Sequence, residues 1–140
     1  MKAGGDLQDA LDNASCGDII ELEAGATFIG GHFTLPAKAC DDQHWIIVRT
    51  STPEGTRMTP CYVGVASLPS RPAFASTSTQ KALATIVYSR AGDGPLIFAN
   101  GANHYRLLGL EITRTANDGK SVTALVAPEL DGSMNQIDGT

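Results

Sequence analysis

The segment NHYRLLGLEITR, residues 103–114, concentrates side chains that are able to bind a ligand. Four of them are histidine, arginine or glutamate, namely His104, Arg106, Glu111 and Arg114. Arginine binds a carboxylate through two parallel hydrogen bonds, so an outward strip of Arg106, Arg114 and the earlier Arg49 would contact carboxylated sugars. Salt bridges to Glu111 or to Asp118 account for the same arginines equally well. The segment predicts either a basic ligand-binding strip or a group of surface ion pairs.

Two histidines stand in similar contexts, QHW at 43–45 and NHY at 103–105. If these segments lie on neighbouring turns of one structure, the rings of His44 and His104 would stack within several ångströms. A zinc site would need a third ligand, and the sequence offers none in that row. We expect a structural role, with the ring nitrogens bound to loop carbonyls, and ligand binding by His104 is the alternative. No metal site is predicted.

Carboxylates contribute to catalysis only in suitable groups. Glycoside hydrolysis needs two of them about 5–9 Å apart, and Glu111 with Asp138 is the candidate pair if both lie on one face. The alternative is that both are solvated on an outer surface. Asp93, Asp131 and Asp138 each precede a glycine, which is typical of turns. No calcium cluster and no catalytic residue is assigned.

The three cysteines, Cys16, Cys40 and Cys61, have no CxxC spacing, which argues against a zinc site. Two interpretations stay open. Either all three are free thiols, or one disulfide forms, for which Cys16 and Cys40 are the favoured pair. A disulfide would indicate an oxidising compartment.

The composition is that of one globular domain, with 140 residues, 42% of them hydrophobic and 18% charged. The net charge of −5 includes no cluster of lysine and arginine, so nucleic-acid binding is not expected. No apolar run approaches the 18–20 residues or so of a membrane span, and the N-terminus lacks the apolar region of a signal peptide. We expect an extracellular or periplasmic protein whose signal peptide is missing from this chain, with the cytoplasm as the alternative.

Residues 5–14 predict one short helix. Asp6 is a good N-cap, and Leu7 and Leu11 lie on one helical face with two alanines. The pair Cys16-Gly17 is expected to end the helix, since glycine suits a C-terminal cap.

The rest of the chain predicts short strands that repeat in three rows. The first row contains residues 17–22, 84–89 and 109–113. The second contains residues 32–36, 95–99 and 123–127, and the third contains residues 43–48, 103–108 and 134–138. A period of three strands predicts a three-sided parallel β-solenoid of about three coils, with each strand paired to its equivalent about 4.8 Å away.

Stacking of residues at equivalent positions on successive coils then places Trp45 on Tyr105 and Ile47 on Leu107 inside the solenoid. Gly109 is expected to bend the chain between two faces. Past this bend Leu110 and Ile112 point inward, whereas Arg106 and Glu111 point outward. The helix would cover the open end of the first coil.

Residues 51–82 interrupt this repeat, and their prolines, serines and threonines predict a surface loop within a single domain of residues 1–140. Loops on a rigid scaffold commonly carry binding sites. Tyr62 in this loop is therefore a further candidate for contact with a ligand.

The opening GGDLQDALDNASCGDIIELEAGATFIGGHFTLP resembles the N-terminal cap and first coil of right-handed parallel β-helix proteins of the pectate-lyase-like superfamily. The segment GANHYRLLGLEITR resembles a coil corner of the same group, so the resemblance extends over essentially the whole chain. It implies an all-β, right-handed three-sided parallel β-helix with an N-terminal capping helix.

The resemblance also implies a role with polysaccharides. Most members of that group act on acidic or neutral polysaccharides, as lyases, hydrolases, esterases or phage tailspikes, and their catalytic clefts lie in central coils beyond those of this chain. We therefore expect an N-terminal segment without activity of its own and without a cofactor, although a full-length lyase-like relative would bind Ca²⁺. A non-catalytic glycan-binding or self-assembling module is the alternative. The last coil has no lid, so a homo-oligomer joined at that end is expected.

Overall fold

The computed structural model describes residues 1–51, 83–90, 94–115 and 124–128, which form one short helix and nine strands. The elements in chain order are α1 (Leu7–Asn13), β1 (Ile19–Leu22), β2 (Thr27–Gly30), β3 (Phe33–Leu35), β4 (Ile46–Thr50), β5 (Ala84–Tyr88), β6 (Leu96–Phe98), β7 (Tyr105–Leu108), β8 (Leu110–Arg114) and β9 (Val126–Pro128). The predicted loop at 51–82, with Tyr62, and the predicted strand at 134–138 lie almost entirely outside these residues.

The strands form three parallel sheets of three strands each. The first sheet has the order β1-β4-β7, the second β2-β5-β8 and the third β3-β6-β9, and every pair of neighbours is parallel. The chain therefore passes through the first, second and third sheets, in this order, three times. The protein is mostly β, as expected, and its strands pair with equivalents from the next passage along the chain.

The second predicted row, which contains residues 32–36, 95–99 and 123–127, corresponds to the third sheet and is correct. The other two predicted rows are wrong in part. Residues 17–22 belong with 43–48 and 103–108, because β1 pairs with β4 and β4 with β7. The strands within 84–89 and 109–113 pair with β2, a strand that the sequence did not predict. The strand β2 is short and buries the side chain of Phe28 alone, so its pattern is weak.

The register between β4 and β7 differs from the prediction by one residue. Ile46 lies beside Tyr105 and Val48 beside Leu107, so Trp45 does not lie on Tyr105. Ile46 and Val48 are almost completely buried, whereas Trp45 is only half-buried. Because side chains alternate between the faces of a strand, a shift of one residue moves Trp45 to the outer face.

Inside the sheets, apolar residues of successive strands lie beside one another. Ile20, Val48 and Leu107 form one such ladder, and Phe28 and Ile86 belong to a second that ends at Ile112. The ladders make one hydrophobic core that also includes the helix residues Leu7 and Leu11. Burial of such side chains contributes roughly 1.5–3 kcal/mol each.

Helix α1 covers one end of this core. Its N-cap Asp6 accepts a hydrogen bond from the Asp9 backbone N–H at 3.0 Å, and Leu7 and Leu11 are each 1% exposed. The helix ends at Asn13 with Ala14 as its extended C-cap, so the predicted cap at Gly17 is wrong. The positive φ of Gly17 instead serves the turn in which the Asp18 N–H donates to the Ser15 carbonyl.

Candidate functional site

The candidate site lies where β4 and β7 begin, on the outer face of the first sheet. The register that pairs Ile46 with Tyr105 brings Trp45 next to His104, one residue before each strand. Arg106 is exposed on the same side of the sheet, two residues further along β7. Three side chains from two passages of the chain thus meet on a rigid strand framework.

Trp45 is the centre of this group. The guanidinium carbon of Arg106 lies 4.7 Å from the centroid of the indole ring, and the His104 ring meets the indole edge-on with centroids 5.0 Å apart. The indole Nε1–H donates to the Asp42 carbonyl at 2.9 Å. A cation placed on an indole face contributes about 0.5–1 kcal/mol at an exposed position. These contacts fix the indole and hold Arg106 above it.

Two aspartates of the preceding loop bind the two histidines. Asp42 Oδ1 lies 3.2 Å from His104 Nε2, and Asp41 Oδ1 lies 2.7 Å from His44 Nδ1. The other ring nitrogen of His104 is 2.6 Å from Asn103 Oδ1. The histidines therefore bind carboxylates and an amide, whereas the sequence predicted loop carbonyls. They also do not stack, since His104 contacts Trp45.

The Asp41 carboxylate is held in its ionised form. Hydrogen bonds from the Gln43 backbone N–H and from the His44 side chain lower its pKa below the ordinary value of 3.8. Asp41 also accepts from the backbone N–H of His44 at 3.0 Å. A carboxylate of this kind is an acceptor of hydrogen bonds at neutral pH and is poorly suited to donate a proton.

The loop of residues 36–45, which carries both aspartates, is fixed at three further points. A disulfide joins Cys40 to Cys16, with the Cα atoms 5.3 Å apart, so the structure contains the cysteine pair that the sequence favoured. Lys38 Nζ donates to the Asp12 carbonyl at 2.6 Å. The Tyr105 hydroxyl donates to the Pro36 carbonyl at 2.7 Å. This 36–45 loop is therefore tied to α1 and to β7.

The other charged residues of the predicted strip lie apart from this site. Arg49 makes a salt bridge of 2.5 Å with Glu21, a partner that the sequence did not suggest. Glu111 and Arg114 belong to β8 in the second sheet, where Glu111 accepts a hydrogen bond from Thr85 Oγ1 at 3.0 Å. The structure thus brings Arg106 and His104 together and leaves Glu111 and Arg114 on another sheet. Asp118 and Asp138 lie outside the residues that the structure describes.

Three members of the site were not predicted as such, namely Asp41, Asp42 and Trp45. The two aspartates follow Cys40 directly and precede an aromatic residue by a few positions, which is the signal that the sequence offers for a loop packed on an indole. Their partners across the sheet depend on the register, which the sequence did not fix correctly.

Over the described ranges, no three residues of the kinds that bind metal ions come together. The helix within those ranges is too short to cross a membrane. No protein-family model matches the chain, and neither the curated proteins nor the solved structures compared with it give a match. The resemblance to the pectate-lyase-like superfamily thus stays a prediction.

Proposed function

We propose that this protein is a right-handed, three-sided parallel β-helix of the carbohydrate-active kind. We further propose that it binds a polysaccharide at the Trp45 site and does not cleave it on its own. The β-helix is supported by the order in which the chain visits the three parallel sheets. Handedness and kinship are part of the proposal, and both come from the resemblance of the N-terminal segment and of the β7–β8 corner to that group.

The observation that carries the binding role is the meeting of an aromatic ring, a guanidinium and carboxylates on one outer corner. Trp45 and Arg106 lie 4.7 Å apart, and Asp42 contacts the neighbouring His104. Sugar rings offer apolar C–H faces to an indole and hydroxyl groups to carboxylates and guanidinium groups. Aromatic side chains with a few placed polar groups are typical of small-ligand sites.

The lowered pKa of the Asp41 carboxyl group supports binding more than catalysis. A general acid needs a carboxyl group whose pKa lies near the working pH, and the pKa of Asp41 is lowered instead. His44 has its Nδ1 directed at Asp41, which favours a fixed ring orientation. These groups are suited to accept and donate hydrogen bonds to hydroxyl groups of a glycan.

Intrinsic fluorescence tests the proposal, because Trp45 is the single tryptophan of the chain. A panel of neutral and acidic polysaccharides is titrated while the Trp45 emission is recorded. We expect a saturable change with at least one glycan. Arg106→Ala should weaken that affinity about tenfold, the size expected for a hydrogen bond to a charged group. Arg49→Ala is the matched control, since it removes the same charge from the same sheet at a position paired with Glu21.

A depolymerisation screen with and without Ca²⁺ separates binding from cleavage. Lyase action produces unsaturated products whose absorbance rises with time. We expect no such rise with the chain alone. Steady product formation that His44→Gln abolishes would contradict the non-catalytic role, and a lack of any fluorescence change over the whole panel would remove the glycan-binding role.

Self-assembly is a second candidate, favoured by the burial pattern along the ladders. Leu107, Leu110 and Ile112 are only partly buried, whereas Val48, Ala84 and Ile86, which precede them in the same ladders, are 0–2% exposed. Among the strands that the structure describes, these residues end their ladders, and partly exposed apolar side chains at such an end are suited to contact another copy of the chain. Light scattering over a concentration series tests this, with Leu110→Glu expected to lower the average mass. A monomer at the highest concentration would contradict it.

A further inference from the structure

The open edges of the first strands, β1, β2 and β3, are treated in different ways. The β1 edge is filled by Met1, whose N-terminal ammonium group donates to the Glu21 carbonyl and whose carbonyl accepts from the Glu23 N–H. The β3 edge is filled by the amide of Gln8, which bonds both the N–H and the carbonyl of Thr34. Two of the three edges are thus completed by residues of the N-terminal segment.

The β2 edge faces a cleft instead. The Thr85 N–H donates to the Ala26 carbonyl and the Ser89 N–H to the Gly30 carbonyl, so alternate residues of β2 face β5. Thr27 and Ile29 lie between the residues that face β5, and they direct their backbone N–H and carbonyl groups away from β5. Within the described parts of the chain, no backbone group is bonded there. The cleft has a volume of about 300 Å³ and lies between β2 and residues 4–7.

We propose that the β2 edge binds an extended peptide segment of a partner protein, added to the second sheet as a further strand, and that this segment carries a basic residue. The backbone groups of Thr27 and Ile29 supply two donors and two acceptors. Pairing of this kind takes its affinity from the main chain and its selectivity from side-chain pockets.

The walls of the cleft define the side chains that fit. Its lining includes the apolar residues Phe28, Phe33 and Leu7 and the acidic residue Asp6, whose Oδ1 accepts from the Asp9 backbone N–H. The side chain of Ile29 is 68% exposed beside it and would be covered by an apolar residue of the bound strand. A β-branched segment with one lysine or arginine near Asp6 matches this lining, and the net charge of −5 favours a basic partner.

A second copy of the chain fits this edge less well. Symmetric pairing of β2 with itself would bring two copies of the wall formed by residues 4–7 into one narrow cleft. An extended strand within a flexible peptide carries no segment equivalent to residues 4–7 and therefore fits the cleft. Self-assembly through the apolar ladder ends, proposed above, involves the opposite edges of the sheets and is independent of this site.

The first experiment uses a blocked heptapeptide of alternating valine and threonine with one lysine near its N-terminus. The probe is titrated into the whole protein by calorimetry. Two matched peptides carry N-methyl groups on alternate amides, one peptide for each of the two possible sets of alternate positions. One of the two should lose at least about tenfold in affinity, because its N-methyl groups remove the donors that face β2, and the other should lose little. Equal affinity of all three peptides would overturn the proposal.

Hydrogen exchange of the unmodified protein gives a second readout that needs no variant. The amides of Thr27 and Ile29 should exchange fast in the free protein and become protected when the peptide binds. Protection of both amides before any peptide is added would overturn the proposal, since it would show that another segment already fills the edge. Dimerisation that buries these amides would overturn it in favour of a second copy.

Two variants locate the contact. Ile29→Pro removes an N–H that faces the cleft and leaves the bonds to β5 in place, which edge strands tolerate. It should weaken peptide binding about tenfold, whereas Ile29→Thr, with an intact backbone, should weaken it far less. Asp6→Asn keeps a good N-cap and should remove an approximately threefold preference for the lysine peptide over its norleucine analogue. Unchanged affinity in Ile29→Pro would overturn the proposal.

Discussion

Gln8 and Thr34 are joined by two hydrogen bonds that make a helix side chain part of a sheet. The Gln8 Nε2–H donates to the Thr34 carbonyl at 3.0 Å, and Gln8 Oε1 accepts from the Thr34 N–H at 2.7 Å. An amide side chain carries a donor and an acceptor in the arrangement of a peptide group. Gln8 therefore completes the open edge of β3 while α1 covers the core behind it.

Removal of this amide should destabilise the protein. Gln8→Ala leaves both backbone groups of Thr34 without the bonds that the helix supplies, and we expect a loss of about 1–3 kcal/mol in the free energy of unfolding, measured by urea denaturation. Asp12→Ala is the control, because the Asp12 carboxylate binds the same Gln8 amide but not the strand, so its loss should be smaller. Equal losses in the two variants would show that Gln8 acts through the helix surface alone.

The helix and the third sheet were predictable because their patterns are unambiguous. Leu7 and Leu11 are four residues apart behind a good N-cap, and Phe33–Leu35 ends directly at Pro36. The first and second sheets were assigned wrongly in part because β2, which buries the side chain of Phe28 alone, was not recognised as a strand. The register of β4 was wrong because its apolar run is continuous. In WIIV, residues 45–48, two successive positions are equally apolar, so alternation does not tell which of Trp45 and Ile46 is inside.

The candidate site was predictable only in its β7 half. His104 and Arg106 are polar side chains in an otherwise apolar strand segment, which singles them out. Asp41 and Asp42 look like ordinary loop residues in the sequence, and their contact with the histidines depends on the disulfide and on the register. An error of one residue in the register between β4 and β7 places the Trp45 side chain in the core, where it would not contact a ligand.

The disulfide should stabilise the protein and hold the 36–45 loop in place. Cys16 and Cys40 are separated by 24 residues, and the entropy of a loop of that length corresponds to roughly 3 kcal/mol. Reduction should therefore lower the urea midpoint and shift the emission of Trp45, whose Nε1–H binds Asp42 in this loop.

The measurement is made in a Cys61→Ser background, so that no third thiol exchanges with the pair. Cys16→Ser/Cys40→Ser in the same background should behave like the reduced protein and should not respond to reductant. Identical midpoints with and without reductant would show that the disulfide does not constrain the chain.

Thr50 should be sensitive to loss of its hydroxyl group. It is 4% exposed, its Oγ1–H donates to the Gly109 carbonyl, and its Oγ1 accepts from the Ala84 N–H at 2.9 Å. It thereby connects the end of β4 to the start of β5 and to the bend before β8. Thr50→Val keeps the shape but leaves both groups without these bonds, and we expect a loss of about 1–3 kcal/mol by urea denaturation.

Thr50→Ser is the matched variant, because it retains the hydroxyl and removes only a methyl group. Its loss in unfolding free energy should be clearly smaller than that of Thr50→Val. The reverse order would mean that packing of the methyl group, and not the hydrogen bonds, determines the effect at this corner.

Tyr105 should make stability fall at high pH. Burial, with a smaller effect of the Asp12 charge, raises the pKa of Tyr105 from 10.0 to about 12. Between these two values the unfolded chain loses the phenolic proton while the folded chain keeps it, so the unfolded state is favoured increasingly as the pH rises. The contribution is fully present below about pH 10 and is lost by about pH 12. Unfolding free energy measured in urea across this range should decline for this reason.

Tyr105→Phe isolates that contribution from the lysines that titrate in the same range. The variant loses the hydrogen bond to the Pro36 carbonyl and should be less stable at pH 8, but its decline between pH 10 and pH 12 should be shallower. A spectrophotometric titration gives an independent measurement, since one phenol of the wild type should ionise near pH 12 and be absent in the variant. Parallel pH profiles of the two proteins would show that the Tyr105 hydroxyl keeps its ordinary pKa in the folded state and that the contact with Pro36 is open to solvent.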